Sequence, residues 1–582
     1  MSTLRKQRSL IFAAPGFLLL AVLHVPDNLF RYAFDKNAPV QFTLLTSLAA
    51  LFLIVIALNP KRFRFQRIAV YAVLALVIFQ LISVFLSGNV IGSLYGDSGR
   101  FVGFFSALAL VIVAIFHTQF NFENFIKLLW GYLIGVEAVV LLGLAQYFDL
   151  LEFPGADGVA STFGNTDFFA AFVGTSYPLL ILLALNTTLR LRILLATLAL
   201  LNFSALYFAG PLQGYVDIAL TVLGVSIFLI RKRIPRFNWS LNIRTFLGTF
   251  AVIIYAEAIF LMPFLGDKVP VLGNDIQVKI RGNFWVDAVR QFFAHPLFGV
   301  GPDQYGNHYE QYRTLDDLKN YPDILSNDAH GAAVQTLATL GIFGTLAYVF
   351  LLVIVIRSLL ILWDSRKIDR KVTFVLGLYI FVYLSNSFIS PITPSHKYLF
   401  WAVLGFIVGQ VYRIRSAVSN GKTFTRTAAL IALPAVILST GFFIAGQANY
   451  LMNVDKFGRD NSVLIDYTPS PVIPCFMYFD AETLMLQKQG SEKVLDLADD
   501  ELNGNPRCVA ANIAKAQAAI NSGDLTALRT YAYYLHEIAP ARSKSIEIGM
   551  YYASKASDVA LAASIQKVMK ELNLIYVPGP TS

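Results

Sequence analysis

The chain has 582 residues, 56% of them hydrophobic and 14% charged, with a net charge of +9 and a mean hydropathy of +0.59. Soluble domains carry about a quarter of their residues as charges, so a soluble globular enzyme is excluded. The excess of Lys and Arg does not mark a nucleic-acid binder either, because these residues sit in short loops between apolar runs, where they act as topology signals.

Arg5, Lys6 and Arg8 precede a first apolar run over 9–25. No small-x-small cleavage pattern follows His24-Val25-Pro26, so this run reads as a retained span and not as a signal peptide. Thirteen apolar segments are long enough to cross a ~30 Å hydrocarbon core. They lie near 9–25, 39–58, 68–87, 101–117, 125–147, 166–185, 192–209, 214–230, 245–265, 331–363, 372–390, 397–412 and 427–446. The 331–363 run exceeds what a span needs, and its first turns are expected to project from the membrane. The expected fold class is all-α: a polytopic bundle of about 12–13 spans, over residues 1–446, with a helical soluble domain over 447–582.

Orientation follows from the basic residues. One set of alternate loops holds Arg5, Lys6 and Arg8; Lys61, Arg62, Arg64 and Arg67; Arg190 and Arg192; Arg231, Lys232, Arg233, Arg236 and Arg244; Arg366, Lys367, Arg370 and Lys371; and Arg413, Arg415, Lys422 and Arg426. The opposite short loops hold only Arg31, Lys36, Arg100 and Lys397. The N-terminus is therefore expected in the cytoplasm. The 266–330 loop and everything after 446 are expected outside it, as in a bacterial inner-membrane protein.

The 266–330 loop is the informative segment. Lys279-Ile280-Arg281-Gly282-Asn283-Phe284-Trp285 is followed by Pro296-Leu297-Phe298-Gly299-Val300-Gly301, and Ser326-Asn327-Asp328-Ala329-His330-Gly331 leads into a helix. Ser326, Asn327 or Asp328 is placed to cap that helix. A helix N-terminus favours phosphate and disfavours imidazolium, which would keep His330 a neutral base. Arg281 adds a planar fork suited to phosphate oxygens. Such a set suits transfer from a phosphorylated lipid donor, with the base taking a proton from an acceptor hydroxyl. Taken one at a time, each residue also has a plain structural use: a capping His, an interfacial Arg, and turn residues at Gly299 and Gly301.

After residue 447 charges return. Residues 481–574 read as amphipathic helices with Gly, Asn and Pro breaks. Breaks at Asn505-Pro506, Ala539-Pro540 and Leu572-Asn573 give a period near 34 residues, like that of tetratricopeptide repeats; an irregular helical bundle is the alternative. Such stacks bind protein partners or brace a neighbouring domain. Both cysteines, Cys475 and Cys508, fall in this region, either paired or as two buried thiols.

Together, Arg281, Trp285, Pro296 to Gly301, Asp328-Ala329-His330 and Leu340-Gly341-Ile342-Phe343-Gly344 resemble the central signature of the O-antigen ligase and polymerase superfamily. Gly96-Asp97-Ser98-Gly99-Arg100-Phe101-Val102-Gly103, Gly164-Asn165-Thr166-Asp167 and Leu399-Phe400-Trp401 resemble flanking motifs, so the likeness covers about residues 40–412. The resemblance implies a type C membrane glycosyltransferase fold without metal or other cofactor. It implies a polyprenyl-diphosphate-linked glycan donor and a lipid, glycan or protein acceptor. It implies His330 as base and Arg281 at the diphosphate, with Trp285, Gly299, Gly301 and Asp328 in support. Where the family carries a second Arg in a Ser-Arg-Gly turn, this chain has Gln213, and Gly331 replaces the Asn after the family His. Arg100, Arg290 or Lys279 is then expected to supply charge, with Gln213 as a hydrogen-bond donor. Two other classes stand beside the transferase. A transporter or flippase would use Glu137, Asp217 and Glu257, and a scaffold would use the helical tail.

Overall fold

The computed structural model describes residues 10–572 apart from 24–37, 60–62, 66, 98–99, 153–157, 231–238, 266–275, 322–323, 325, 416–421, 424–425, 460–494, 496–497, 500–501 and 504. The N-terminal basic cluster, Arg31, Lys36 and Cys475 lie outside these residues.

The protein is a polytopic helical bundle. Its helices are α1 (Leu10–Val22), α2 (Ala38–Leu58), α3 (Arg67–Leu86), α4 (Val90–Tyr95), α5 (Phe104–His117), α6 (Phe122–Tyr147) and α7 (Thr166–Leu185). There follow α8 (Leu189–Ala209), α9 (Leu212–Ile230), α10 (Leu241–Leu265), α11 (Ile276–Ala294), α12 (Tyr305–Tyr312), α13 (Leu315–Asn320) and α14 (Ala332–Ser365). Last come α15 (Arg370–Ser387), α16 (Pro394–Arg415), α17 (Arg426–Arg459), α18 (Val509–Ser522), α19 (Leu525–Ile538), α20 (Ser543–Ala556) and α21 (Val559–Glu571). A two-residue antiparallel pair, Arg64–Phe65 with Lys422–Thr423, joins two of the basic loops.

Eight helices (α2, α3, α6 to α10 and α14) are long and apolar enough to cross a membrane, and three shorter apolar stretches lie on α1, α5 and α17. The two remaining apolar runs, 372–390 and 397–412, fall on α15 and α16. These two helices are more polar and largely enclosed by the bundle, where polar side chains meet protein and not lipid. Each of the thirteen runs thus lies on a helix, and the chain is a multi-pass membrane protein. Close helix approach uses small residues. A side chain at Gly405 or Gly409 of α16 would run into the backbone oxygens of Ala114 or Thr118 beside α5.

The long apolar run over 331–363 is not one helix. Gly341 has φ 63° and ψ −164°, so α14 breaks there into two segments. The Pro296-to-Gly301 turn segment fills the break. Val300 and Gly301 amides donate to the Ala338 and Thr339 oxygens (2.9 and 3.0 Å), and Ile342 donates back to the Pro296 oxygen (2.8 Å). Gly299 and Gly341 both need positive φ and both face backbone, so the two glycine motifs are two sides of one crossing.

α17 continues past the expected boundary at 446 to Arg459. The C-terminal helices pack in sequence order, α18 on α19 on α20 on α21, around Leu528, Leu535, Ile546 and Ile565. Ser543 starts 34 residues after Val509, and Val559 starts 34 after Leu525. Cys508, at the buried start of α18, is disulfide-bonded. This stack docks on α12 of the long loop. Arg507 donates to the Asn307 oxygen (3.0 Å) and to Gln311 (2.6 Å), and Arg542 pairs with Glu310 at 3.1 Å.

Candidate functional site

Arg281 and Trp285 are one helical turn apart, so both leave α11 on the same face. That face meets the end of the long loop. The Trp285 indole N–H donates to the His330 carbonyl (3.3 Å), and the Phe284 ring lies 5.4 Å from the His330 ring. Arg281 pairs with Asp167 at 3.4 Å. Asp167 lies in the first turn of α7, which Asn165 caps by accepting from the Asp167 and Phe168 amides. The Gly164-to-Asp167 motif is therefore a helix start that presents a carboxylate to Arg281.

None of Ser326, Asn327 or Asp328 caps α14. Gly331 holds the N-cap position and makes no side-chain bond. Asp328 folds back instead. One carboxylate oxygen accepts the His330 amide (2.7 Å) and the other pairs with Arg100 (3.2 Å). His330 itself adopts φ +52°, a conformation that this local turn offsets. Gly331 has no room for a side chain, because a Cβ there would stand 2.8 Å from the Trp285 nitrogen and 3.1 Å from the Phe388 oxygen. An Asn at this position, as in the family pattern, would have to displace the Trp285 indole.

Arg100 arrives on the turn that follows α4. Asp303 holds that turn, accepting the Asp97 amide (2.8 Å) and the Val102 amide (3.2 Å). Sequence reasoning missed Asp303. It sits two residues beyond the Gly299-Val300-Gly301 turn, has φ +59° and is buried, with its second oxygen unpartnered among the described residues. Burial and the neighbouring Asp97 carboxylate raise its pKa to about 8.

The electrostatics of His330 follow from these placements. Protein surrounds the ring on most sides, although it keeps a partial opening to the surface. That desolvation, then the Arg100 charge, outweighs Asp328, and Arg281 adds to the effect, so its pKa falls to about 3. The imidazole is neutral, but the helix terminus is not the main cause.

Arg100, Arg281, Trp285, Asp328 and His330 are thus brought together from three segments. Arg290 is directed elsewhere, onto the Tyr312 and Arg313 carbonyls (3.3 and 3.4 Å), where it ties α11 to the end of α12. Lys279 is exposed on α11. Gln213 donates to Asn386, whose amide in turn donates to both Asp217 oxygens at 2.6 Å, so Gln213 enters a buried polar chain between α9 and α15. Gly299 and Gly301 shape the crossing described above. Lys397, read from the sequence only as a sparse loop charge, stands within electrostatic reach of Arg100, Asp328 and Asp303. Among the described residues, no group of three His, Cys, Asp or Glu side chains is placed to hold a metal ion.

Residues 158–349 match the family model described as O-antigen ligase. This stretch of the chain is similar to the O-antigen ligase domain. It contains Asp167, Gln213, Arg281, Trp285, Asp303, Asp328, His330 and the Gly341 break, whereas Arg100 and Lys397 come to its site from outside the matched residues. No curated protein matches the chain.

Proposed function

We propose that the protein is a membrane glycosyltransferase of the O-antigen ligase type. It moves an oligosaccharide from a polyprenyl-diphosphate carrier to an acceptor hydroxyl on a lipid, a glycan or a protein. The observation that carries this reading is the convergence of a neutral, partly open His330 with two guanidinium groups, Arg281 and Arg100, from separate parts of the chain.

In this reading the acceptor oxygen attacks the anomeric carbon of the donor sugar while His330 takes its proton. The bond between that carbon and the diphosphate oxygen breaks, and the electron pair leaves with the diphosphate. Arg281 and Arg100 stabilise the negative charge that builds there. With a pKa near 3 His330 is a weak base in the empty site. A bound diphosphate offsets the charges of Arg100 and Arg281, which raises its pKa and couples base strength to donor occupancy.

The site lies on the extracytoplasmic face of a bacterial inner membrane, with the N-terminus in the cytoplasm. The basic-loop asymmetry supports this, as does the disulfide at Cys508 in the stack docked on the long loop, because disulfides persist in oxidising compartments. The C-terminal stack, of tetratricopeptide-like period, braces the long loop and offers its outer surface to a protein partner. The transporter alternative has less support. Glu257 is exposed, Glu137 is bonded by Asn202 at 3.3 Å, and Asp217 is bonded by Asn386.

The test is transfer by the purified protein in nanodiscs, supplied with a polyprenyl-diphosphate-linked glycan and candidate acceptors and followed by mass spectrometry. Glycan on an acceptor, lost in His330→Ala, is the expected result. Wild-type turnover in His330→Ala would remove the base assignment.

A further inference from the structure

We propose that Lys397 is a third cationic contact for the carrier diphosphate, an inference that rests on the reading of the site given above. Lys397 reaches the site through the chain path. α15 ends at Ser387, and the next residues lie against the loop end that bears His330. The Phe388 oxygen lies 3.1 Å from where a Cβ of Gly331 would stand, and Phe388 and Ile389 pack into the cluster of Trp285, Tyr305 and Ala329. The chain then turns into α16, whose first turn carries Lys397, held by its amide bond to the Thr393 oxygen (2.9 Å).

The side chain is half-buried there, within electrostatic reach of Asp328, Asp303 and Arg100. Its ammonium makes no direct ion pair or hydrogen bond with the described residues. Neither nearby carboxylate forms an ion pair with it among the described residues, although the second Asp303 oxygen is itself unpartnered. Asp328 is engaged by Arg100 and the His330 amide, and Asp303 by the Asp97 and Val102 amides. Gln213 is neutral and bonded to Asn386, so it brings no charge. An unpaired, half-buried ammonium within reach of the Arg100 guanidinium is costly unless an anion joins it. A diphosphate has the charge and the number of acceptor oxygens to engage all three, with Lys397 as a point charge and the arginines as forks.

The test measures binding of polyprenyl diphosphate and polyprenyl monophosphate to the full-length protein in nanodiscs, together with KM and kcat for the glycan-linked donor. The variants are Lys397→Met, Lys397→Arg and, as a reference, Arg281→Ala. Lys397→Met is expected to weaken diphosphate binding by roughly 10- to 100-fold, the worth of one charged hydrogen bond, and to weaken monophosphate binding less. KM should change more than kcat, and Lys397→Arg should restore most of the affinity. Unchanged diphosphate affinity in Lys397→Met, with loss in Arg281→Ala, overturns this inference and leaves the reading of the site standing. Unchanged affinity in both removes the diphosphate site itself. Should Lys397→Met lower the melting temperature, Lys397→Gln, which keeps a polar head, supplies the same comparison.

Discussion

The Arg100 guanidinium lies 3.2 Å from the Asp328 carboxylate, which pins a turn near residue 100 to a loop that ends more than two hundred residues later. Asp328 does two tasks with two oxygens, and substitution can separate them. Asn keeps an acceptor for the His330 amide but loses the ion pair; Ala loses both. Asp328→Asn should therefore raise the donor KM several-fold with a smaller change in kcat. Asp328→Ala should also lower kcat, by roughly 10- to 100-fold, as His330 leaves its turn. Steady-state kinetics on both variants decides this, and equal kcat values for the two would deny Asp328 its role in placing His330.

His330 gives a pH prediction. Its pKa near 3 in the free protein means that protonation removes the base only well below pH 5. The acid limb of kcat/KM, which reports the free protein, should therefore show no His330 step between pH 5 and 7. The acid limb of kcat, which reports the donor complex, should lie higher, because the bound dianion raises the pKa. Arg100→Gln removes the largest charge that lowers it and should move the kcat/KM limb up toward the ordinary 6.5. Coincident limbs in kcat and kcat/KM would refute the coupling of base strength to donor binding.

Gly331 yields a prediction that runs against family likeness. Restoring the Asn of the family pattern should harm this protein, because a Cβ at 331 meets the Trp285 indole nitrogen at 2.8 Å. Gly331→Ala should cost about 1–3 kcal/mol as an overpacked site, and Gly331→Asn at least as much. Melting curves in nanodiscs measure the cost, and Trp285→Phe should relieve part of it. A stable, active Gly331→Asn would mean that the loop end shifts readily.

The docked C-terminal stack gives a dynamic prediction. Arg507 and Arg542 both bond to α12, so Arg507→Glu with Arg542→Glu should raise amide exchange in Tyr305–Tyr312 and leave exchange in α7 unchanged. Unchanged exchange in α12 would show that the stack does not brace the loop.

Much of this arrangement is legible in the sequence where one residue type has one physical use. Apolar runs of span length place the helices, and the Arg281 to Trp285 spacing places both on one helix face. The Gly341 break is less legible, since a glycine inside an apolar run reads equally well as continuous helix. The cap of α14 was misread because Ser, Asn and Asp before a helix usually cap it, whereas Asp328 is drawn to Arg100 by a contact that no local pattern encodes. Lys397 and Asp303 were invisible as site residues for the same reason. The groups that face them lie on segments far away in the chain, and contacts such as the crossing of the Pro296-to-Gly301 segment with the α14 break, which no local pattern encodes, bring those segments together.

Asp303 carries the last prediction, because it positions Arg100 without a charge of its own near neutral pH. Burial and Asp97 raise its pKa from 3.8 to about 8. Between those values the folded protein keeps a proton that the unfolded chain has released. The folded state then binds more protons, so this group makes stability fall as pH rises through that window, at up to about 1.4 kcal/mol per pH unit. Asp287, with a pKa also raised to about 8 by burial and by Asp317, adds a similar slope. Asp303→Asn keeps an oxygen for the Asp97 and Val102 amides and has nothing to titrate. It should flatten part of the loss of melting temperature between pH 5 and 8 while keeping transfer activity. Asp303→Ala should flatten the slope too, but it frees the turn that carries Arg100, so the donor KM should rise. An unchanged pH slope in Asp303→Asn would mean that the Asp303 carboxyl is ionised in the folded protein, with Lys397 or Arg100 as its counter-charge.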